Sequence, residues 1–284
     1  NGSQEFNPDA TVALIAAPTT DYTAEEIKKI QTWVYNDGNY GRHLMVFTSP
    51  TVDCPNLYEL LEVEYKIRVT DELLLETDFA RIQSYNQLYP LCDVPSTEYT
   101  KDAVSTGKVY TPSARRLLTT LSEKNEESTI DTYGIQLTEY PETAQLMKLS
   151  DAIGGAEDKS DKAYAPAEDQ YPMTSMMVCV MDGYNNNTGT ATNGTVFVSG
   201  CSAAAYESII TQSNYKNEEL FLETINGMTG AEEGLSISTK KLNANYVYFS
   251  DQAQLLIGIV GFTVGLPLIV LIVCIIVFIK RRRL

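Results

Sequence analysis

The apolar positions in the first fifty residues alternate between short unbroken runs and helical spacing. Residues 11–17 form an apolar run that ends before a proline, which is typical of a strand buried on both faces. Thr23 and Glu26 then have the spacing of a capping box, and Gly38 supplies a helix stop. A second apolar run covers residues 43–47. The order strand, helix, strand predicts a parallel βαβ unit.

The same patterns continue through the first 250 residues. Segment 150–170 is rich in Asp, Lys, Ala and Gly and is predicted to be a mobile loop. These patterns predict one α/β domain over residues 1–250, with a mainly parallel sheet flanked by helices. Three further helices are predicted: one over 56–65, capped by Asn56 and Glu59, one that begins at Thr111-Pro112, and one over 218–228. Further strands are predicted over 67–76, 135–137, 173–181, 195–199 and 234–240.

A long apolar run lies near the end of the chain. Residues 255–279 carry no charge, and the basic cluster Lys280–Arg283 follows at once. About 20 apolar residues cross a bilayer as a helix, and such basic clusters stay in the cytoplasm. The sequence therefore predicts one C-terminal transmembrane helix over 251–280 and a cytoplasmic tail over 281–284. The predicted localisation is a single-pass cell-membrane protein with an extracytoplasmic N-terminal domain. Gly261 and Gly265 have the spacing that lets two membrane helices pack closely.

The beginning of the chain shows neither an initiator Met nor an apolar signal segment, although a C-terminal anchor requires a route to the membrane. We therefore expect a further N-terminal part with its own targeting or anchoring segment. The net charge of -16 repels phosphate backbones, so nucleic acid is excluded as a partner.

The sequence contains few groups that could support catalysis or metal binding. His43 is the only histidine, and no Gly-x-Ser-x-Gly, Walker A, His-Glu-x-x-His or Cys-x-x-Cys pattern is present. Two Ser-x-x-Lys matches, at 105–108 and 213–216, are at the level expected by chance. The segment 182–187 resembles a calcium loop but lacks the terminal Glu, so a polar hairpin is favoured. The sequence predicts no catalytic residue, no cofactor and no metal.

Four cysteines precede the apolar run, and they permit three full disulfide pairings. Cys54 and Cys92 both lie beside prolines in segments that resemble loops, which favours a bridge between them. Cys179 lies in an apolar run and is interpreted as a small buried hydrophobe.

Several patterns in their chain order resemble a known family. They are Val12 to Pro18, Thr23 to Ile27, Asn39 to Pro50, Pro55 to Leu61, Asn217 to Asn226, and the terminal apolar run with its arginines. This series is similar to the C-terminal half of the GldG-like auxiliary subunits of ABC-type transport systems, a family first associated with gliding motility. The resemblance implies a glutamine amidotransferase-like or flavodoxin-like extracytoplasmic fold, with ABC permease and ATPase subunits as partners. The sequence departs from the family at residues 199–202, where an acidic turn is usual.

Three functions remain open. The leading expectation is a non-catalytic, membrane-anchored accessory subunit of an ABC-type transport, export or surface-assembly system, whose outer domain binds a substrate or partner. The second is a cell-surface module for glycans or polymers, which 18 tyrosines and an acidic exterior favour. The third is a divergent hydrolase. The sequence does not identify the ligand.

Overall fold

The computed structural model describes residues 6–7, 9–101, 107–122, 124, 131–153, 162–230 and 266–282. The chain divides into two compact units, residues 1–240 and residues 241–284. The described strands are β1 (Val12–Ala16), β2 (His43–Phe47), β3 (Ile67–Glu76), β4 (Ile82–Gln83), β5 (Asn86–Asp93), β6 (Lys108–Tyr110), β7 (Arg115–Thr119), β8 (Thr132–Gln136), β9 (Ala144–Lys148), β10 (Met176–Tyr184) and β11 (Ala191–Ser199). The α-helices are α1 (Ala24–Tyr35), α2 (Pro55–Tyr65), α3 (Leu149–Ile153), α4 (Glu207–Ile210), α5 (Asn217–Thr229) and α6 (Leu266–Arg282).

The predicted βαβ unit is confirmed. β1 pairs in parallel with β2, and α1 connects them. The capping box is also present, because the Glu26 backbone N–H donates to Thr23 Oγ1 at 3.3 Å and the Thr23 N–H donates to Glu26 Oε2 at 2.9 Å. Both strand ranges and the start of the helix therefore follow from local sequence.

The predicted mainly parallel sheet is wrong. The largest sheet has the order β1-β2-β11-β10-β8, in which only the β1–β2 and β2–β11 pairs are parallel. Two further sheets, β7-β3-β9 and β4-β5-β6, contain antiparallel pairs. The physical reason is the length of the connections. Only a short turn joins β10 to β11, and a short turn can join only antiparallel strands.

The helix predicted at Thr111-Pro112 is also absent from the structure. These residues lie between β6 and β7, where the Thr111 N–H donates to Pro90 O at 3.1 Å and the Ser113 N–H donates to Leu88 O at 2.7 Å. Both acceptors belong to β5, so pairing with a distant strand overrides the local helix signal.

The centre of the five-stranded sheet is buried on both faces, but the edge strand β1 is not, since Leu14 is 61% exposed; the expectation of two-sided burial for the run 11–17 is wrong. Along β2, Leu44 and Val46 belong to a core cluster with α1 and α2, while Met45 and Phe47 belong to a second cluster with α5. Side chains of a strand alternate between the two faces, so an unbroken apolar run is required here. The predicted run of residues 43–47 satisfies this requirement.

The C-terminal unit is described only through α6, a helix of 17 residues. Within the described ranges, no helix combines the length and the apolar character needed to cross a bilayer. The transmembrane helix of the predicted fold is therefore not found in this part of the chain. Gly261, Gly265 and the predicted strand 234–240 lie outside the described residues. So do residues 154–161 of the predicted loop 150–170, whose described parts contain the end of α3 and a 3-10 helix at Glu168–Gln170.

Candidate functional site: a tyrosine-lined pocket

The carboxyl ends of the parallel strands β2 and β11 are joined by a ladder of hydrogen bonds. The Thr48 backbone N–H donates to Ser199 O at 2.9 Å, and the Thr48 hydroxyl donates to the same oxygen at 3.1 Å. The Ser202 N–H donates in turn to Thr48 O at 3.0 Å. These bonds carry the turn of residues 199–202 across the end of β2. Crevices beyond the carboxyl ends of parallel strands are frequent ligand sites in α/β proteins.

Residues 110–113, which lie outside the parallel strands, form the facing wall. Pro112 O accepts a hydrogen bond from Cys201 Sγ at 3.0 Å, which fixes the wall to the turn after β11. Ser113 has a φ of 54°, in the left-handed region that non-glycine residues seldom occupy. Such strained residues cluster at functional sites, where the surrounding structure holds them in place. Ser113 is one of eight described non-glycine residues with a positive φ, and it is the one that lines this wall.

Between these two walls lies a pocket with a volume of about 390 Å³. None of its lining side chains is charged, although the chain as a whole carries -16. The side chains are of three kinds, namely hydroxyl, aromatic and small apolar. The lining residues are Ser49, Pro50, Thr51, Tyr89, Tyr110, Pro112, Ser113, Ser202, Ala203 and Tyr206.

The three tyrosines differ in how firmly they are held. The rings of Tyr89 and Tyr110 meet edge to face, with centroids 6.3 Å apart, and Tyr110 also packs on Tyr215 at 5.0 Å. Tyr206 is 55% exposed and precedes α4. The pocket thus combines two packed rings with one ring open to solvent. A tyrosine ring offers an apolar face and a hydroxyl, which suits ligands that are both hydroxylated and partly apolar.

A chain of buried hydroxyls anchors the wall segment. Thr111 Oγ1 lies 2.5 Å from the Tyr140 hydroxyl, which lies 3.0 Å from Ser175 Oγ. Burial raises the pKa of Tyr140 well above its ordinary value, so its phenol stays neutral and can donate. Linked buried hydrogen bonds of this kind rigidify a site. Thr111, which precedes Pro112, is therefore fixed by Tyr140 and, through it, by Ser175.

His43 lies at the opposite end of β2 from the pocket. Its Nδ1 is 2.6 Å from Thr195 Oγ1, and burial lowers its pKa from 6.5 to about 4. The strand rises by roughly 13 Å over the four residue steps from His43 to Phe47. The imidazole therefore does not reach the pocket, and its contact with Thr195 is a structural one.

The predicted bridge between Cys54 and Cys92 is not formed in this structure. Both are buried free thiols, and they belong to different core clusters. Cys179 is buried in β10, as the apolar run predicted. Burial raises the pKa values of Cys92, Cys179 and Cys201 to about 12. These thiols therefore stay protonated at neutral pH, and a protonated thiol is a poor nucleophile.

The remaining candidate motifs have structural partners. Lys108 forms an ion pair with Asp93, and Lys216 pairs with Glu219 at 2.9 Å, while Ser105 lies outside the described residues. The backbone N–H groups of Asn187 and Thr188 donate hydrogen bonds to Asn185 Oδ1, which confirms a polar hairpin. Among the described residues, no group of three His, Cys, Asp or Glu side chains is placed to hold a metal ion.

Sequence reasoning missed the pocket. It noted the number of tyrosines and the unusual turn at 199–202, but it did not connect Tyr89, Tyr110 and Tyr206. The prolines after two strands, Pro50 and Pro112, were the available signal. Residues from four separate segments line the pocket, so only the tertiary structure brings them together.

Comparisons with known proteins add little. No protein-family model matches the chain, and no curated protein matches it. A solved structure titled "mmIFT52 N-terminal domain" is similar, with 13% sequence identity and a TM-score of 0.49. The match covers 79% of this chain and 80% of that chain.

Proposed function

We propose that this protein is a non-catalytic binding module whose pocket, at the ends of β2 and β11, takes a neutral, hydroxyl-rich ligand such as an oligosaccharide. The observation that carries the proposal is the lining of the pocket, which has three tyrosines, four hydroxyl residues and no charge. Small-molecule sites are mostly apolar and aromatic, with a few placed polar groups, and this pocket follows that pattern.

The charge of the lining decides between classes of ligand. A cationic ligand would pair with carboxylates and an anionic ligand with arginines, and the pocket offers neither. A sugar ring instead presents hydroxyls along its edge and C–H groups on its face. Ser49, Thr51, Ser113 and Ser202 supply hydrogen-bond partners for the edge, and an exposed ring such as Tyr206 supplies a stacking surface.

Binding of the full chain to a glycan array, followed by titration of the strongest hit, tests this proposal. We expect Tyr206→Ala to weaken binding about tenfold, because stacking on an aromatic ring contributes about 1 to 1.5 kcal/mol. The matched control is Tyr184→Ala, which removes a half-exposed tyrosine from the end of β10. Tyr184 pairs with Ala191, at the end of β11 far from the pocket. Equal binding by the two variants would contradict the proposal.

A wider role follows from the resemblance to GldG-like subunits. On that resemblance, the binding module is an accessory subunit of an ABC-type export or surface-assembly system, and a permease and an ATPase are its partners. Purification of the tagged full chain from its native cells in mild detergent is expected to recover both. Recovery of the chain alone would contradict the accessory role, but it would leave ligand binding at the pocket intact.

A further inference from the structure

A second, charged groove lies beside the three-stranded sheet β7-β3-β9. It has a volume of about 910 Å³, and its lining differs completely from that of the tyrosine pocket. Four cationic side chains line it, namely Arg68, Arg115, Arg116 and Lys148, together with Asp53, Asp71 and Glu72. We propose that this groove binds a tetrahedral oxyanion of the phosphate type.

The first observation is that two adjacent arginines are buried with few partners. The side chain of Arg115 is 1% exposed and that of Arg116 is 5% exposed. Each guanidinium carries five N–H donors. The two groups together make four hydrogen bonds to protein acceptors, of 3.2 and 3.4 Å for Arg115 and of 3.3 and 3.0 Å for Arg116. Nε of each arginine is buried with no partner.

This arrangement is costly without a ligand. Removing a charged group from water costs several kcal/mol, and only good hydrogen bonds and opposite charge offset that cost. Buried polar groups without partners are rare in native proteins, so each one requires an explanation. An oxyanion in the groove supplies the missing negative charge and accepts hydrogen bonds from the Nη donors. After a small shift of the guanidinium groups, the oxyanion also accepts from Nε.

The acidic partner of Arg115 is weakly held. Asp71 accepts from Arg115 Nη1 at 3.2 Å, but its side chain is 86% exposed. It lies where the pairing of β3 with β7 is irregular, between Val69 and Leu73. Exposed ion pairs contribute little, since both groups remain solvated and mobile. A ligand oxyanion can therefore replace Asp71 on Arg115 at small cost.

The acidic partner of Arg116 is shared among several donors. Glu72 accepts from Arg116 Nη1 at 3.3 Å and from the hydroxyl of Tyr164, and it lies across from Lys148 in the β3–β9 pairing. One carboxylate thus faces two cations. Arg68 and Lys148 are exposed and form no ion pair within the described residues. Four cations therefore face three carboxylates, a local excess of positive charge in a chain of -16.

The number and type of donors favour phosphate over a single carboxylate. Guanidinium groups match the geometry of phosphate and bind it through paired N–H donors, whereas Lys contributes a mobile point charge. Two buried forks and two exposed cations around one cavity suit an anion with several oxygens and more than one negative charge. The phosphate belongs either to a free small molecule or to a lipid headgroup, and titration with each one separates these sources.

Calorimetric titration of the full chain in mild detergent with inorganic phosphate tests the inference. Vesicles of phosphatidylcholine, with and without phosphatidic acid, form the lipid arm. Either phosphate or the phosphatidic acid vesicles are expected to bind. We expect Arg68→Gln and Lys148→Gln each to weaken that binding about fivefold, because each removes one exposed cation near the anion. Lys28→Gln removes the same charge from exposed α1 and is expected to have no effect.

A third variant separates ligand binding from structural support. Asp71→Asn removes the carboxylate that competes for Arg115, so we expect tighter phosphate binding, by about threefold or more. A purely structural ion pair predicts instead a lower melting temperature and no binding. The inference is overturned if neither phosphate nor phosphatidic acid binds, or if Arg68→Gln combined with Lys148→Gln binds as the wild type does. Because these residues lie outside the tyrosine pocket, failure here leaves glycan binding untouched.

Discussion

Gly200 follows β11 at a point where no side chain has room. A Cβ placed on Gly200 would lie 2.2 Å from Arg115 O and 3.0 Å from its carbonyl carbon. Both of these atoms belong to the backbone of β7, so no flexible side chain can swing aside. Ordinary contact between such atoms requires about 3.5 Å, so Gly200→Ala must push the two segments apart by roughly 1 Å.

The cost of this displacement can be worked out from the bonds around Gly200. The Arg115 N–H donates to Gly200 O at 2.8 Å, and the Gly200 N–H donates to Ser175 O at 2.7 Å. A shift of roughly 1 Å breaks at least one of them, at about 1 kcal/mol for each bond. Overpacking of a close contact adds about 1 to 3 kcal/mol. We therefore expect Gly200→Ala to lower the free energy of unfolding by about 2 to 4 kcal/mol.

Urea unfolding followed by circular dichroism measures this change, and Gly189→Ala is the matched control. Gly189 has a φ of 71°, but no atom lies within 4 Å of a Cβ placed there. The control should therefore show only the cost of a left-handed alanine, about 1 kcal/mol. If Gly200→Ala costs no more than Gly189→Ala, the close approach to Arg115 is refuted.

Three further predictions concern the cap of α2, the buried histidine and the thiols. The Asp21 carboxylate accepts hydrogen bonds from the backbone N–H groups of Asn56 and Leu57 at the start of α2. Asp21→Ala should therefore lower the free energy of thermal unfolding by about 1 kcal/mol, and Asp21→Asn by less. Equal losses in the two variants would contradict this capping role. Burial lowers the pKa of His43 in the folded protein from 6.5 to about 4. The contribution of neutral His43 to the free energy of unfolding is therefore complete above pH 6.5 and is lost as the pH falls toward 4. Wild type should therefore lose about 3 kcal/mol more than His43→Gln over that interval, and parallel pH profiles would sink the assignment. Since Cys54 and Cys92 are free, dithiothreitol should leave the melting temperature unchanged, and a clear drop would indicate a bridge.

Local sequence determined the elements whose signals are short-range. The capping box of α1 and the run 43–47 gave correct boundaries, because cap hydrogen bonds and two-sided burial depend on neighbouring residues. The strand 67–76 is likewise confirmed with the predicted bounds. The helix 56–65 was predicted with the correct end, but its cap comes from Asp21, which lies 35 residues away from Asn56.

Tertiary structure decided how these elements pair and where the sites lie. Strand direction and order depend on contacts between distant segments, which a single apolar pattern does not encode. Thr111-Pro112 has a helix-opening pattern, yet hydrogen bonds to β5 hold this segment in a turn beside the pocket. The packing of β7 buries the charged side chains of Arg115 and Arg116, which no local sequence pattern predicts. Their burial is a property of the assembled chain, because it takes atoms from several elements to exclude water from one guanidinium group.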